Sequence, residues 1–187
     1  MSAVVSISRP LHVLVRFAQD QRGMSAVEFA LVLPLLLTLY LGTAEVSQGV
    51  GIDRKVTLTT RTAADLAARM SGISTSDMTN LLAASSAVIA PYDPTKLKVT
   101  VSLVSIDANS SATVSWSCTL NGTKRGTNSS VTLPAAFLNP STALVFSEVS
   151  YTYKPTIGYV ITGTLNLSDQ IYMRPRLSDS ITGPSSC

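Results

Sequence analysis

One carboxylate stands inside the most apolar stretch of this 187-residue chain. Residues 27–41, VEFALVLPLLLTLYL, carry a single charged side chain, Glu28. An ionised group inside hydrocarbon costs a few kcal/mol on insertion scales, so it generally has a partner or a task. Either Glu28 is an interfacial residue near lipid headgroups or it pairs with a cation brought to it. The other residues with chemical potential are few. The one histidine, His12, lies upstream of the apolar stretch, and the two cysteines, Cys118 and Cys187, lie far downstream.

These residue types exclude much. A single histidine argues against His-based triads and His-ligated metal sites. The cysteines lack metal-ligand spacing, no phosphate-binding or dinucleotide glycine pattern is present, and no Gly-x-Ser-x-Gly elbow occurs. Asp107 and Glu148 fall on expected strands, where carboxylates are ordinarily edge or rim residues. No enzyme and no cofactor is expected. Cys118 and Cys187 would form one bridge in an oxidising compartment or stay as two free thiols. A bridge requires their Cα atoms within about 7 Å. Four Asn-x-Ser/Thr sequons, at Asn109, Asn121, Asn128 and Asn166, arise readily in so Ser/Thr/Asn-rich a chain.

The charge of +3 is a matter of placement. Of 14 basic and 11 acidic side chains, Arg9, Arg16, Arg22 and Asp20 lie in residues 1–23, which leaves 11 basic and 10 acidic elsewhere. The pI near 9.0 therefore reflects a short basic leader and does not imply a nucleic-acid partner. Charged residues make up only 13% of the chain, against about a quarter in soluble domains.

The element that must position Glu28 is a membrane span. A helix rising about 1.5 Å per residue needs roughly 20 residues to cross a bilayer core of about 30 Å. Residues 24–46 supply that length, with Glu45 closing the far end. Three arginines precede the span, while Asp53, Arg54 and Lys55 nearly balance after it. The positive-inside rule then puts residues 1–23 in the cytoplasm and residues 47–187 outside. Pro34 interrupts the span, which membrane helices tolerate.

The residues around Glu28 read Gln21-Arg22-Gly23-Met24-Ser25-Ala26-Val27-Glu28-Phe29-Ala30. A cut between Gly23 and Met24 would leave Glu28 fifth and Phe29 sixth in the new chain, with the apolar helix still attached. This resembles the class III signal of type IV pilin-like proteins, and RGMSAVEFALVLPLLL is similar to the TadE-like family of minor pilins (pseudopilins) from tight-adherence, or Flp, pilus systems. EVSYTYKP at 148–155 and YMRPR at 172–176 add weaker support. The resemblance implies cleavage by a prepilin peptidase at Gly23-Met24. It implies that Glu28, with Phe29, serves recognition and assembly, the carboxylate pairing with an N-terminal amine as a subunit enters the filament. It implies other pilins or pseudopilins, an inner-membrane assembly platform and the lipid bilayer as partners, and a bacterial inner-membrane location. A buried pair of that kind gives register more than net stability.

A competing reading uses the same residues. Residues 29–41 also fit the apolar region of a conventional signal peptide, and Gly42-Thr43-Ala44 passes as a cleavage site before Glu45. That would release a secreted ligand-binding domain, or leave a tethered one, recognising its ligand through a sheet or through the polar loop 121–130. Against it, the region before the apolar stretch would be long, and Pro34 interrupts the stretch.

Beyond the span a helical period continues to about residue 70, with Ile52, Val56, Ala63, Leu66, Ala67 and Met70 on one face. Small residues Gly42, Ala44, Gly49 and Gly51 would permit close helix approach. A second helix is expected over 76–90, opened by a capping box of Ser74 and Asp77 and ended by Pro91. Strands are expected at Lys98–Asp107, Ala112–Leu120, Leu144–Lys154 and Gly158–Leu167, with a short edge strand at Ile171–Arg176. Trp116, Tyr151, Tyr153, Tyr159 and Tyr172 would be core or a partner surface. The expected fold is α+β: one long N-terminal helix, a second helix and an antiparallel sheet.

Overall fold

The computed structural model describes residues 23–155, 158 and 161–187. The basic leader, with Arg9, His12, Arg16, Asp20 and Arg22, lies outside the described residues, as does Tyr159. Helix α1 runs unbroken over Met24–Ala68, 45 residues, or about 68 Å at 1.5 Å per residue. It passes straight through Pro34, whose carbonyl accepts the Thr38 hydroxyl at 2.8 Å. Helix α2 covers Thr75–Ala87. Its capping box is complete: the Ser74 hydroxyl accepts the Asp77 N–H, and the Asp77 carboxylate accepts the Ser74 N–H. These bonds satisfy donors that the first helical turn cannot satisfy itself.

Four antiparallel strands follow: β1 Leu97–Ile106, β2 Ala112–Leu120, β3 Thr142–Tyr153 and β4 Leu165–Met173. They form one sheet in the order β2-β1-β3-β4. The architecture is thus the α+β arrangement expected, with one revision at the C-terminal end. The two strands expected at 158–167 and 171–176 are replaced by a single edge strand, β4. Gly163, at φ 102°, has a backbone that extended strands do not adopt, and Pro175 cannot donate to a ladder.

Two apolar clusters sit on opposite faces of the sheet. Leu97, Val99, Val101 and Leu103 of β1, with Val145, Val149, Tyr151 and Tyr153 of β3, face the helices. There α1 packs on β3 and β4, and α2 lies beside α1 near β1 and β2. Val104, Ile106, Leu144 and Phe146 face the other way, beneath Val131, Leu133 and Leu138 of the β2–β3 connection. A bulge in β2 opposite Leu103 and Val104 lets the strand serve both clusters. Cys118 and Trp116 meet the helix-side core, whereas Val114 and Ala112 meet the outer one.

The C-terminal residues make a strap across the end of α1. The Arg176 N–H caps the Ala68 carbonyl at 2.8 Å, and the Arg176 guanidinium meets Asp65 at 2.6 Å. Thr182 bonds the turn between the helices in both directions, donating to Ser71 and accepting from Ile73. Ile181 enters the helix-side core, and its carbonyl accepts the Trp116 indole N–H at 3.0 Å. The strap ends at Cys187, which is joined to Cys118 in a disulfide with Cα atoms 5.2 Å apart.

Candidate functional site

The site built from Glu28 is the first half of α1. From Met24 to Ala44 the helix presents apolar side chains outward, with Val27, Phe29, Leu31, Leu35 and Tyr40 each at least 60% exposed. No part of the 18-residue window that satisfies membrane-crossing length and composition is buried within the protein. Such a surface is unstable in water and suited to lipid or to other apolar helices. Glu28 projects from it exposed, and Phe29 beside it is 60% exposed. Gly23 is the N-cap of the helix and Met24 its first residue, so the helix begins at the expected processing position. An amine created on Met24 would stand at the helix N-terminus, one turn from the Glu28 carboxylate. A negative side chain near that end also suits the helix dipole.

The second half of α1 is the converse. Ile52, Val56, Thr59, Thr60, Ala63, Ala64, Ala67 and Ala68 are buried against the sheet. Thr59 and Thr60 return their hydroxyls to the Lys55 and Val56 carbonyls at 2.8 Å, so neither of these two hydroxyls is left unbonded in the core. The small residues expected to let a second helix approach are partly used at home. A Cβ on Gly49 would touch the Tyr153 ring, and one on Gly51 would lie 2.9 Å from the Tyr92 hydroxyl. Gly42 and Ala44 remain on the apolar half.

Between the halves lies a group that sequence reading placed only as the end of the span. Glu45 is 3% exposed, and its carboxylate accepts the Ile161 N–H at 2.9 Å. It therefore ties the β3–β4 connection to the helix where the apolar half ends. The Tyr153 hydroxyl lies within bonding reach of the Glu45 carbonyl, at 3.3 Å, and of the Gln48 side-chain oxygen, at 3.1 Å. Burial, and then the nearby Glu45 charge, pushes the Tyr153 phenol above its ordinary range. A signal was present in the sequence: Glu45 stands seven and eleven residues before Ile52 and Val56, on the buried stripe.

The remaining expected residues are dispersed. Glu148 is paired with Arg125, and Asp107 accepts turn N–H groups from Asn109 and Ser111. Tyr151 and Tyr153 are core, Trp116 is half-buried, and Tyr172 stacks on Phe146 at 4.5 Å. Among the described residues no three His, Cys, Asp or Glu side chains converge as metal ligands would. No curated protein and no solved structure matches the chain. Residues 23–69, from the expected processing position to the end of α1, match the model of the TadE-like protein family, so the long helix of this chain is TadE-like.

Proposed function

We propose that this chain is a minor pilin of the TadE-like kind, acting in assembly of a tight-adherence pilus for surface attachment. The observation that carries this reading is the division of one continuous helix. Its first half is apolar, unburied and marked by Glu28, while its second half is the core of a folded domain. The family match covers both halves. In this reading a prepilin peptidase cuts between Gly23 and Met24. The apolar half stays in the inner membrane, with the leader cytoplasmic and residues 47–187 outside. Glu28 then meets an N-terminal amine when the subunit joins its partners, other pilins or pseudopilins on an inner-membrane platform. The role is structural and calls for no catalytic group. In the oxidising compartment outside the membrane the Cys118–Cys187 bridge closes, fixing the strap.

The test is piliation of cells carrying Glu28→Ala. The variant protein should reach the membrane at the normal level, because removing a charge favours insertion. Filaments should be lost. Normal piliation with that variant would contradict the docking role of Glu28.

A further inference from the structure

The outer face of the sheet is finished differently at its two ends. One end is roofed by Val131, Leu133 and Leu138 over an apolar cluster. The other end is open, and it is concave: Lys98, Thr100, Glu148, Ser150, Ser168 and Gln170 line a groove of about 670 Å3. That volume is in the range of small-ligand sites, about 300–1,000 Å3. An uncovered polar sheet face is ordinary, because antiparallel sheets commonly meet water on one side. This one differs in having a wall fastened along its edge.

The wall is the turn after β2. Asn121 takes a left-handed conformation, φ 55°, and its side-chain amide bonds the Pro94 and Leu97 carbonyls at 3.3 and 3.1 Å. Gly122 follows because a Cβ there would lie 2.7 Å from the Thr119 hydroxyl. Arg125 is held on three sides. Its N–H donates to the Ser117 hydroxyl at 3.0 Å, its guanidinium grips both Glu148 oxygens at 2.6 and 2.7 Å, and that guanidinium lies 5.0 Å from the Phe146 ring centre. Donation of its guanidinium N–H groups to the Glu148 carboxylate raises the Arg125 pKa above its ordinary value.

The floor is a grid. Lys98, Ser150 and Ser168 stand opposite one another across β1, β3 and β4, and Thr100, Glu148 and Gln170 form the next row. Strands about 4.8 Å apart, with alternate residues about 7 Å apart, space these six groups over roughly 10 by 7 Å. Their chemistry is balanced. Lys98 and Arg125 offset Glu148 and Asp169, whose carboxylate already accepts the Gln170 N–H at 2.9 Å. Four hydroxyls, of Thr100, Thr123, Ser150 and Ser168, and the Gln170 amide both donate and accept, the Thr100 hydroxyl also bonding that of Thr119 at 3.0 Å. A ligand of one charge gains little from such a set. A ligand whose groups also donate and accept in turn, at spacings of a few ångströms, gains at every position.

We propose that this groove binds a short run of a neutral polysaccharide, its hydroxyls paired with Thr100, Ser150, Ser168, Gln170 and the outer oxygens of the Arg125–Glu148 pair. The site is separate from the apolar half of α1, so it stands or falls independently of the pilus reading.

The experiment uses the full chain in a zwitterionic detergent, since sugar-headed detergents would compete. Neutral hexasaccharides of glucose and of mannose are titrated by calorimetry, with a galacturonate hexamer as the charged control. At least one neutral oligosaccharide should bind more tightly than about 1 mM. Gln170→Ala and Ser150→Ala should each weaken it about fivefold, the loss of one hydrogen bond. Trp116 emission should be unchanged in both variants, since Trp116 packs on the opposite face of the sheet. The proposal is overturned if no neutral oligosaccharide reaches that affinity, if the galacturonate binds best, or if correctly folded variants bind as tightly as the parent chain.

Discussion

The two halves of α1 share one backbone and almost nothing else. Val32 and Leu36 in the first half lie 47% and 49% exposed, whereas Val56 and Ile52 in the second are 0% and 1% exposed. Both halves are helical, yet they answer to different solvents. Among the described residues none of the first half's membrane-length apolar window is buried, a surface suited to lipid or to other helices. The second is held by the sheet and would unfold with it. One helix therefore carries both an exposed apolar surface and the core of a domain, with the change of surroundings falling at a defined residue. Glu45 marks that point, with its carboxylate turned into the protein against Ile161.

The comparison breaks most sharply under a buried charge. Val56→Asp should destabilise the domain by about 3–5 kcal/mol, the cost of an uncompensated charge in a core. Val32→Asp should leave domain stability unchanged and impair only membrane insertion. Urea unfolding followed by Trp116 emission, alongside membrane fractionation, separates the two effects.

The next effect tests what fastens the buried half. The Cys118–Cys187 bridge closes a span of 69 residues, for which loop entropy predicts about 4 kcal/mol as an upper figure. Cys187→Ser should lower the urea midpoint accordingly, and reductant should lower that of the parent chain and not of the variant. Equal midpoints in oxidised and reduced parent protein would remove the bridge from the account.

Glycine contacts give a smaller contrast. A Cβ at Gly183 would run into the Trp116 ring, so Gly183→Ala should cost about 1–3 kcal/mol through overpacking. Gly42→Ala, on the apolar half, should leave the domain's unfolding midpoint unmoved.

The smallest effect is a pH dependence at the start of α2. Hydrogen bonds from the Ser74 hydroxyl, and then from its backbone N–H, hold the Asp77 carboxyl below the ordinary aspartate range. A depressed carboxylate contributes stability that is fully present above its unfolded pKa, about 3.9. That contribution fades as pH falls through the lower folded value. Helicity measured by circular dichroism should show a shallow loss on the acid side of pH 4, and Asp77→Asn should flatten it.

Local chemistry was the legible part of this protein. The length of the apolar run is a property of adjacent residues whose meaning does not depend on distant contacts. The same holds for the Ser74–Asp77 box and for strands β1, β2 and β3, where β-branched residues are dense. The helical stripe from Ile52 onward was readable for a similar reason, since its period persists over several turns. What escaped was set by tertiary contact. Glu45 read as the end of a span and is a buried tie. Gly49 and Gly51 read as helix-approach residues and receive Tyr153 and Tyr92 of the same chain. Glu148 read as a rim carboxylate and grips Arg125, 23 residues away. The strap over Ala68, Ser71 and Trp116 has no periodicity to betray it, because its contacts are isolated hydrogen bonds, one ion pair, one buried side chain and the terminal disulfide.

The central claim is that the apolar half stays attached after processing, and the N-terminal sequence of the mature protein from cells tests it most directly. A chain beginning at Met24, recovered in the membrane or in sheared filaments, is the predicted result. A chain beginning at Glu45 in the soluble fraction would contradict it and make this protein a secreted binding domain.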